Sequence, residues 1–398
     1  MTRLIFEGIR ILDVSHFISG PWTTTFFAQQ GAEVIKVEPP PFGDSFRMFS
    51  AFDEQIFPLF SILNNDKKSV VLNLRKPEAQ EVFRQLVAKS DVVVDNLVVG
   101  TMDRWGVGYE QLKEVKPDLI YVSISGFGRT GLERYVTKSA FDLIAQAVSG
   151  TLDAMQVEQA PGVPFADYST AHVAAIALAS ALYHRERTGQ GQLIDVSMQD
   201  VMYAINIRAH AREFMARAAR LHDMSRILPI YNQYPTSDGK KVAIVVLTEP
   251  QWKRLCERVL ERPELVTDER FDNPVKRFDH VDELDEIVSE YTRARTREQV
   301  LLELEAQKIP CGAVLSVDEV RDHPQLAARG MLRDQFDFSA WGVEKATMPG
   351  PIVKYSGTPS RLERQAPPLG ADTVKVLVEV LGYSEAEAKK VARKVSRA

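Results

Sequence analysis

The stretch Pro161–Asp200, PGVPFADYSTAHVAAIALASALYHRERTGQGQLIDVSMQD, contains the helix and the strand that decide the fold class. Its alanine-rich part predicts a helix that runs to Arg187 and ends in Thr188–Gly191. The apolar run Leu193–Ser197 that follows is typical of a buried strand. A long helix followed closely by a buried strand is expected of an α/β protein.

Asp167 comes at the start of this helix, after Pro164 and the small Ala166. The free N–H groups and the dipole of a helix N-terminus favour a negative group, so we expect this carboxylate to be ionised at neutral pH. An ionised carboxylate can act as a nucleophile toward an acyl carbon. Asp is also a preferred N-cap residue, and a cap is the commoner role at such a position. The local sequence leaves both roles open.

Working outward, the first two hundred residues alternate short apolar runs with helical patterns. Val/Ile/Leu-rich strands that alternate with helices predict a parallel sheet covered on both faces. The predicted strands are Arg10–Val14, Glu33–Val37, Ser69–Leu74, Asp91–Asp95, Leu119–Ser125 and Leu193–Ser197. Helices are predicted between them at Pro21–Gln30, Pro77–Lys89 and Phe141–Ser149.

The second half of the chain follows a different pattern. One long helix is predicted from Gln199 to Leu221. A new region starts near Leu228, and its irregular spacing predicts a second, smaller α/β domain with a strand at Lys241–Leu247. Short strand-like runs follow Arg329, and a helical pair begins at Ala371. The charged helices of the middle region are predicted at Gln251–Leu260, Val281–Thr292 and Thr296–Lys308.

Composition excludes several classes of protein. The 398 residues carry a net charge of −5, which argues against a general nucleic-acid binder and requires a local basic cluster for any polyanionic ligand. Cys256 and Cys311 are too few for a disulfide framework and have no metal-ligand company, so no metal site is expected. No apolar run is long enough for a membrane span, and the N-terminus has no signal-type pattern. We expect a cytoplasmic protein with neither nucleic acid nor membrane as partner.

The stretch Pro161–Asp200 resembles the signature of the class III coenzyme A transferases, the family of formyl-CoA and carnitine CoA-transferases. In that family an aspartate, a small-residue helix, R-x-x-T-G-x-G-Q and a strand I-D-V-S surround the catalytic carboxylate. The resemblance implies a Rossmann-like large domain with a parallel sheet, a smaller α/β domain and an interlocked homodimer. It implies residues 1–222 as the first part of the large domain with a long linker helix. Residues 223–328 would form the small domain, and 329–398 a second linker that returns to the large domain.

The same resemblance implies Asp167 as the nucleophile and a set of residues that contact CoA. Further matches are Asn64–Ser69 to N-x-N-K-R-S, Asp95–Leu97 to E-N-F, and Met102–Gly106 to M-x-R-x-G. A solvated basic loop is the commoner fate of paired lysines, but here several basic and amide positions share one edge of the sheet. The implied CoA contacts are Ile18, Ser19, Asn64, Lys67, Asn96, Leu97, Arg104 and Lys138. His16 is expected to be a turn or core histidine without a catalytic role.

Two features depart from simpler family or motif assignments. Gly126–Gly131 spells G-x-G-x-x-G, but it follows a late strand and does not run straight into a helix, which argues against a nicotinamide site. A similar loop lies beside the active site in the transferases, and a structural turn is the alternative. Pro39 replaces an arginine of formyl-CoA transferase, and Arg47 is a candidate for the missing contact.

The predicted function is transfer of CoA from an acyl-CoA thioester to a free carboxylic acid through an aspartyl-CoA intermediate. CoA is then a substrate, and no tightly bound cofactor is expected. Backbone N–H groups at the helix start and in the glycine loop are expected to hold the oxyanions. Ala166–Tyr168 inclines the acyl group toward a carnitine-like, branched or dicarboxylic acid. The alternatives are an α-methylacyl-CoA racemase, whose G-H-D histidine is replaced in Ala140–Asp142, and a non-catalytic CoA-binding protein.

Overall fold

A computed structural model of the chain describes residues 3–52, 57–155, 157–207, 209–210, 228–338 and 346–397. The chain divides into two compact units, each with its own sheet and core. The large unit contains Met1–Ala211 and Leu326–Ala398, and the small unit contains Arg212–Gln325. The domain boundaries predicted from the sequence, at 222 and 328, stay predictions. No helix within the described ranges is long and apolar enough to cross a bilayer.

The large unit is built on a sheet of six parallel strands in the order β3-β2-β1-β4-β5-β6. This order confirms the predicted α/β class with a parallel sheet. The direction of winding reverses between β1 and β4, and open α/β sheets bind ligands at the carboxyl ends of the strands that flank such a reversal. The strands are β1 (Arg10–Asp13), β2 (Glu33–Glu38), β3 (Lys68–Val71), β4 (Val92–Asp95), β5 (Ile120–Ser125) and β6 (Leu193–Ser197).

Apolar side chains on both faces of the strands explain why this sheet lies in the interior. Along β1, Leu12 packs into one core cluster and Ile11 into another. Val93 of the neighbouring β4 joins the cluster of Leu12, whereas Val94 joins that of Ile11. Because alternate residues of a strand point to opposite faces, such strands must be covered by helices on both sides.

Eleven labelled helices cover the sheet in the first part of the chain. The longest, α10 (Phe165–Thr188), ends at Gly189 with a left-handed φ of 72°, as the TGQG turn predicts. The others are α1 (Ser19–Ala28), α2 (Ser45–Phe52), α3 (Phe57–Asn64), α4 (Pro77–Ala88), α5 (Thr101–Arg104), α6 (Tyr109–Val115), α7 (Glu133–Val136), α8 (Asp142–Val148), α9 (Thr151–Met155) and α11 (Met198–Ile205).

The long helix predicted from Gln199 to Leu221 is wrong in its first part. Helix α11 ends at Ile205, because Asn206 leaves the helical conformation at φ −80° and ψ 78°. The Asn206 side chain donates a hydrogen bond of 3.1 Å to the Ser149 carbonyl oxygen, which fixes the break. Residues 211–227 of the predicted helix lie outside the described part of the chain.

The C-terminal segment completes the large unit. Two helices, Thr373–Leu381 and Glu385–Val395, match the predicted pair. Leu377 and Val395 pack into the same core cluster as Phe83 of α4, so the end of the chain covers one face of the sheet. A short antiparallel pair is formed by β10 (Leu332–Arg333) and β11 (Met348–Pro349).

The small unit has an antiparallel sheet of three strands in the order β7-β8-β9. Trp252 and Val288 lie in its core, each at most 1% exposed. The strands are β7 (Ile230–Pro235), β8 (Lys241–Val246) and β9 (Cys311–Val314). The helical segments are Glu249–Arg254, Leu255–Val259 (a π turn), Pro263–Val266 (3₁₀), Pro274–Asp279, Val281–Arg293, Arg297–Ala306 and Val317–Arg321, and Pro324–Ala328 follows at the boundary of the two units.

Candidate active site

A cavity of about 280 Å³ lies at the carboxyl edge of the parallel sheet, where the loops after β1, β4 and β5 meet. This is the reversal point of the strand order, the place at which doubly wound sheets bind ligands. Helix α10 contributes Asp167 to the cavity wall, and among the described residues that line the cavity this is the single carboxylate. The other lining residues are His16, Phe17, Ser19, Ser45, Asn96, Leu97, Val98, Val99, Ile124, Ser125, Gly126, Val136, Lys138, Ser139, Ala140, Phe141 and Met198.

The turn between β1 and α1 has a strained backbone. Phe17 has a φ of 61°, a left-handed conformation that is unusual for a bulky residue. Its N–H donates to Asp44 Oδ1 at 3.0 Å, and its ring meets the Phe141 ring edge-on at 5.4 Å. Such strain persists where the surroundings hold it, and it is concentrated at ligand sites. The turn thereby places His16 and Ser19 on the cavity wall.

Asn96 ties the loop after β4 to the loop after β1. Its Oδ1 accepts the His16 N–H at 2.8 Å, and its Nδ2 donates to the His16 carbonyl oxygen at 2.7 Å. The same Nδ2 lies 3.2 Å from Ser19 Oγ. An amide side chain that satisfies both polar groups of a neighbouring backbone residue fixes the distance between the two loops. Asn96 therefore sets the width of the cavity at its base.

Asp167 is the third residue of α10 and does not cap it, so the N-cap alternative is wrong. Pro164 occupies the N-cap position. Burial raises the pKa of Asp167 to about 6, and the charge of Asp142 acts in the same direction. The hydroxyl and backbone N–H of Ser19 lower this pKa, but they do not outweigh burial. The carboxylate is still mostly ionised at pH 7, although the helix terminus does not dominate as the sequence suggested.

The N–H groups at the start of α10 are not open to an oxyanion. Asp142 Oδ1 accepts the Ala166 N–H at 2.8 Å and the Asp167 N–H at 3.2 Å. The Phe165 N–H donates to the Val163 carbonyl oxygen at 2.9 Å. The expectation that the helix start holds the oxyanions is therefore wrong, because a second carboxylate already occupies it.

The predicted CoA contacts fall into two groups. Ser19, Asn96, Leu97 and Lys138 line the same cavity as Asp167. The structure does not bring the remaining four, which are Ile18, Asn64, Lys67 and Arg104, into that lining.

Ile18 and Arg104 lie near the cavity without lining it. Ile18 holds the N-cap position of α1, directly before Ser19. Arg104 ends α5, which follows the cavity residue Val99 by a few positions, and its guanidinium donates to Thr101 Oγ1 at 2.9 Å. Because Arg104 is exposed, its remaining donors face solvent.

Lys67 and Asn64 lie inside the protein. Lys67 Nζ donates to Asp13 Oδ2, the Pro21 carbonyl oxygen and Asn64 Oδ1, each at 2.9 Å. An ammonium group has three donors, so all of them are used. Asn64 is fully buried, and its Nδ2 donates to the Phe60 carbonyl oxygen at 3.0 Å. The N-x-N-K-R-S match therefore falls on a structural network beneath the β1–α1 turn.

Arg47 does not replace the arginine lost at Pro39. Its guanidinium forms a bidentate pair with Glu38, at 2.7 Å from Nε to Oε2 and 2.9 Å from Nη2 to Oε1. The same Nη2 donates to the Pro367 carbonyl oxygen at 2.9 Å, and the guanidinium lies 3.8 Å from the Phe60 ring centroid. A buried arginine with these partners serves the packing of the large unit.

His16 is the cavity residue that the sequence left without a role. Its Nδ1 accepts the Ser45 N–H at 3.3 Å, and burial lowers the pKa of the imidazole. A neutral ring whose Nδ1 accepts a hydrogen bond carries its proton on Nε2. The sequence signal for this placement is its position directly after a strand at the topological reversal, which singles out no residue type.

Comparison with known proteins identifies the family. The description "CoA-transferase family III" matches residues 6–373. The chain belongs to this family. The succinyl-CoA–L-malate CoA-transferase alpha subunit of Chloroflexus aurantiacus is 32% identical, covering 99% of this chain and 93% of that protein. The acetyl-CoA:oxalate CoA-transferase of Acetobacter aceti is 34% identical, with 91% and 92% covered. A CAIB/BAIF family protein from Brucella suis has a solved structure with a TM-score of 0.80 and 30% identity, with 95% and 100% covered.

As a family III CoA-transferase, the chain is an enzyme that acts on CoA thioesters. The resemblance inferred from Asp167 and the R-x-x-T-G-x-G-Q run is thus confirmed. At the position of the racemase histidine, Phe141 precedes α8 and offers no group that titrates. In the G-x-G-x-x-G loop, an added Cβ on Gly126 would lie 2.3 Å from the Ala140 Cβ, so this glycine permits close packing of the cavity wall. The residues after Gly131 form only the short α7, which is not the helix of a dinucleotide site.

Proposed function

We propose that this CoA-transferase moves CoA from an acyl-CoA thioester to a free carboxylic acid through a covalent aspartyl-CoA on Asp167. One observation carries the proposal: Asp167 is the single carboxylate among the described residues that line the cavity at the reversal point of the sheet. Its pKa of about 6 supports the role, because a carboxylate of raised pKa is more nucleophilic and is still mostly ionised at pH 7.

The first half of the reaction transfers CoA to the enzyme. A carboxylate oxygen of Asp167 attacks the thioester carbonyl carbon, the C–S bond breaks, and CoA leaves as a thiolate. The product is an anhydride between the acyl group and Asp167. The thiolate then attacks the aspartyl carbonyl carbon and releases the donor acid as its carboxylate. The enzyme now carries a thioester between Asp167 and CoA.

The second half repeats these steps in reverse with a new acid. The acceptor carboxylate attacks the aspartyl thioester, and CoA leaves again as a thiolate. The thiolate attacks the acyl carbon of the acceptor in the resulting anhydride. This step forms the new acyl-CoA and returns Asp167 as a free carboxylate, so no proton is consumed. Ser19, whose hydroxyl and N–H already face Asp167, is positioned to stabilise charge that develops on its oxygens.

CoA itself fits along the cavity wall and its outer rim. Ser19, Asn96 and Leu97 supply the wall on either side of the reversal point. Lys138 is exposed at the rim, with Nζ 5.5 Å from the Phe127 ring centroid. Together with the exposed Arg104 it offers positive charge to the CoA phosphates, where lysine acts as a mobile point charge and arginine as a rigid fork.

The acyl pair is a dicarboxylate in this proposal. The relatives named above are described by succinyl-CoA with L-malate and by acetyl-CoA with oxalate, and a further relative, 32% identical, is a succinate–glutarate CoA-transferase. A carnitine-like or branched acid remains the competing assignment. Assays of succinyl-CoA, acetyl-CoA and butyrobetainyl-CoA with L-malate, glutarate, oxalate and butyrobetaine decide between them. Dicarboxylate preference is contradicted if only the betaine pair turns over.

The nucleophile is tested with Asp167→Asn and Asp167→Ala, and with Asp153→Asn on the neighbouring α9 as the matched control. Both Asp167 variants should lose turnover and still bind CoA in a calorimetric titration. Wild-type enzyme mixed with acyl-CoA and treated with borohydride or hydroxylamine should carry its label on residue 167, located by peptide mass spectrometry. Turnover by Asp167→Asn, or a label elsewhere, rejects the aspartyl intermediate. CoA binding without turnover in the wild type leaves a non-catalytic CoA-binding protein.

The homodimer and the cytoplasmic location implied by the resemblance belong to the same proposal. Helix α10 supports the dimer, because Ile176 and Tyr183 are 68% and 64% exposed on its outer side. Light scattering behind a sizing column should give twice the mass of the chain. A monomer at micromolar concentration would contradict the dimer.

A further inference from the structure

Helix α10 begins without a cap of its own. Pro164 stands at its N-cap, and a proline side chain accepts no hydrogen bond. The first N–H groups of a helix have no partner inside the helix, and Ala166 is fully buried, so its N–H needs a partner from elsewhere. Asp142 on α8 supplies it, since its Oδ1 accepts both the Ala166 and the Asp167 N–H.

Asp142 is itself held in place from two sides. It is the first residue of α8, where a carboxylate interacts favourably with the helix dipole. Its Oδ2 accepts a hydrogen bond of 2.6 Å from Gln146 Nε2, one turn further along the same helix. Gln146 is fully buried, so it cannot swing away. One carboxylate thus joins the N-termini of two helices at the back of the cavity.

This arrangement decides where the Asp167 carboxylate lies. A carboxylate in the first turn of a helix would ordinarily be stabilised by the N–H groups of that turn. Asp142 takes those groups, and Asp167 faces Ser19 and the cavity instead. We propose, on the basis of the function proposed above, that Asp142 is a positioning residue that orients Asp167 toward the thioester and keeps it a strong nucleophile.

The electrostatics agree with this role. After burial, the charge of Asp142 is the next cause of the raised pKa of Asp167. The opposing groups are the Ser19 hydroxyl and N–H, on α1. His16, in the β1–α1 turn, and Lys138, before α8, line the same cavity and are the other titratable side chains there. Removing the charge of Asp142 should therefore lower the pKa of Asp167.

The decisive variant is Asp142→Asn, which keeps an acceptor oxygen for the two N–H groups and removes the charge. The Gln146 amide accommodates the change, because its Oε1 has no partner and can accept from the new NH₂ group after a flip. The expected result is a folded enzyme with CoA affinity within twofold of wild type. The acid limb of kcat/KM should move to lower pH, and kcat at pH 8 should fall about tenfold. Asp142→Ala should also lower the melting temperature, and Asn should restore most of that loss.

Asp153→Asn, an exposed carboxylate on α9, is the control for loss of a negative charge near the site. An acid limb at the same pH in wild type and Asp142→Asn overturns the positioning role, as does an unchanged kcat. The result is separable from the proposed function. If Asp167→Asn is inactive and the label is on residue 167, a stationary limb rejects only the role of Asp142. If Asp167→Asn is active, the proposed nucleophile itself fails.

Discussion

Lys67 Nζ lies 2.9 Å from Asp13 Oδ2, and neither side chain has any exposed surface. Asp13 ends β1, and Lys67 directly precedes β3, so the pair joins two strands of the sheet that are not adjacent. The Lys67 ammonium and Asp13 together hold the start of the β1–α1 turn, because Thr24 Oγ1 and Ser15 also bond to the Asp13 carboxylate. A basic motif that resembles a CoA contact is here a support for the loop that forms the cavity.

Replacing Lys67 by Met should therefore damage folding more than binding. Loss of one partner leaves the Asp13 carboxylate buried with less compensation, and we expect a loss of about 3 kcal/mol in the free energy of unfolding. Urea denaturation measures it. Lys68→Met, at the adjacent and more exposed position, is the control. An unchanged midpoint for Lys67→Met with a large loss of CoA affinity would restore the direct contact that the sequence predicted.

Arg104→Ala should show the opposite behaviour. The side chain is exposed and has a single printed partner, Thr101, so the melting temperature should stay within about 1 °C. Affinity for CoA should fall about tenfold if the guanidinium binds a phosphate. Calorimetry with CoA and 3′-dephospho-CoA identifies which phosphate is involved. Arg187→Ala, at the far end of α10, serves as the control, and an equal loss of affinity there would point to a general charge effect.

Turnover should fall in acid as Asp167 takes up a proton. The pKa of Asp167 is about 6, and the protonated acid cannot attack the thioester. We expect kcat/KM to be constant above pH 7 and to drop tenfold per pH unit well below 6. Initial rates from pH 5 to 9, with enzyme shown to be folded by circular dichroism at each pH, measure the limb. A flat profile down to pH 5 would contradict the raised pKa.

Asp167→Asn should be more stable than the wild type at neutral pH. A carboxyl group whose pKa rises from 3.8 to about 6 on folding favours the native state in acid, and this contribution is lost as the pH rises through 6. The ionised form thus weakens the fold at pH 7.5, and its removal should add about 2 kcal/mol. Thermal melts should show the gain at pH 7.5 and little difference at pH 4. Equal stability at both pH values would show that Asp167 is not strained by burial.

Gly126→Ala should narrow the cavity wall. A Cβ at this position would lie 2.3 Å from the Ala140 Cβ, which is too close for any real contact. Either the β5 end or the loop that carries Lys138 must shift, at a cost of about 2 kcal/mol. Loss of turnover that exceeds the loss of folded protein is the expected outcome. Gly357→Ala is the matched control, because nothing lies within 4 Å of its added Cβ.

The sheet was predictable because buried parallel strands have a plain signature. Runs such as Val92–Asp95 and Ile120–Ser125 are apolar on both faces, and their ends lie within a residue or two of the prediction. Helix α11 was misjudged because its apolar period continues past Ile205. What ends it is a hydrogen bond from Asn206 to Ser149, 57 residues away in sequence, which no local pattern contains.

The site was predictable in part for a similar reason. Sequence matches place Ser19, Asn96 and Asp167 at the right edge of the sheet, because each follows or precedes a recognisable element. They do not show whether a side chain points outward or into the core, and Lys67 was misplaced on that account. The dependence of Asp167 on Asp142 was equally hidden, since it arises from two helix N-termini that meet only in the folded chain.

The Asn96 bridge has a consequence for how such an enzyme can change its substrate. Its two hydrogen bonds to the backbone of His16 fasten together the loops that flank the reversal of the sheet. With the floor of the crevice fastened, the upper loops are free to accept insertions and substitutions without disturbing the alignment of Ser19 with Asp167. New acyl specificities can then arise on one unaltered reaction centre, provided that the asparagine stays.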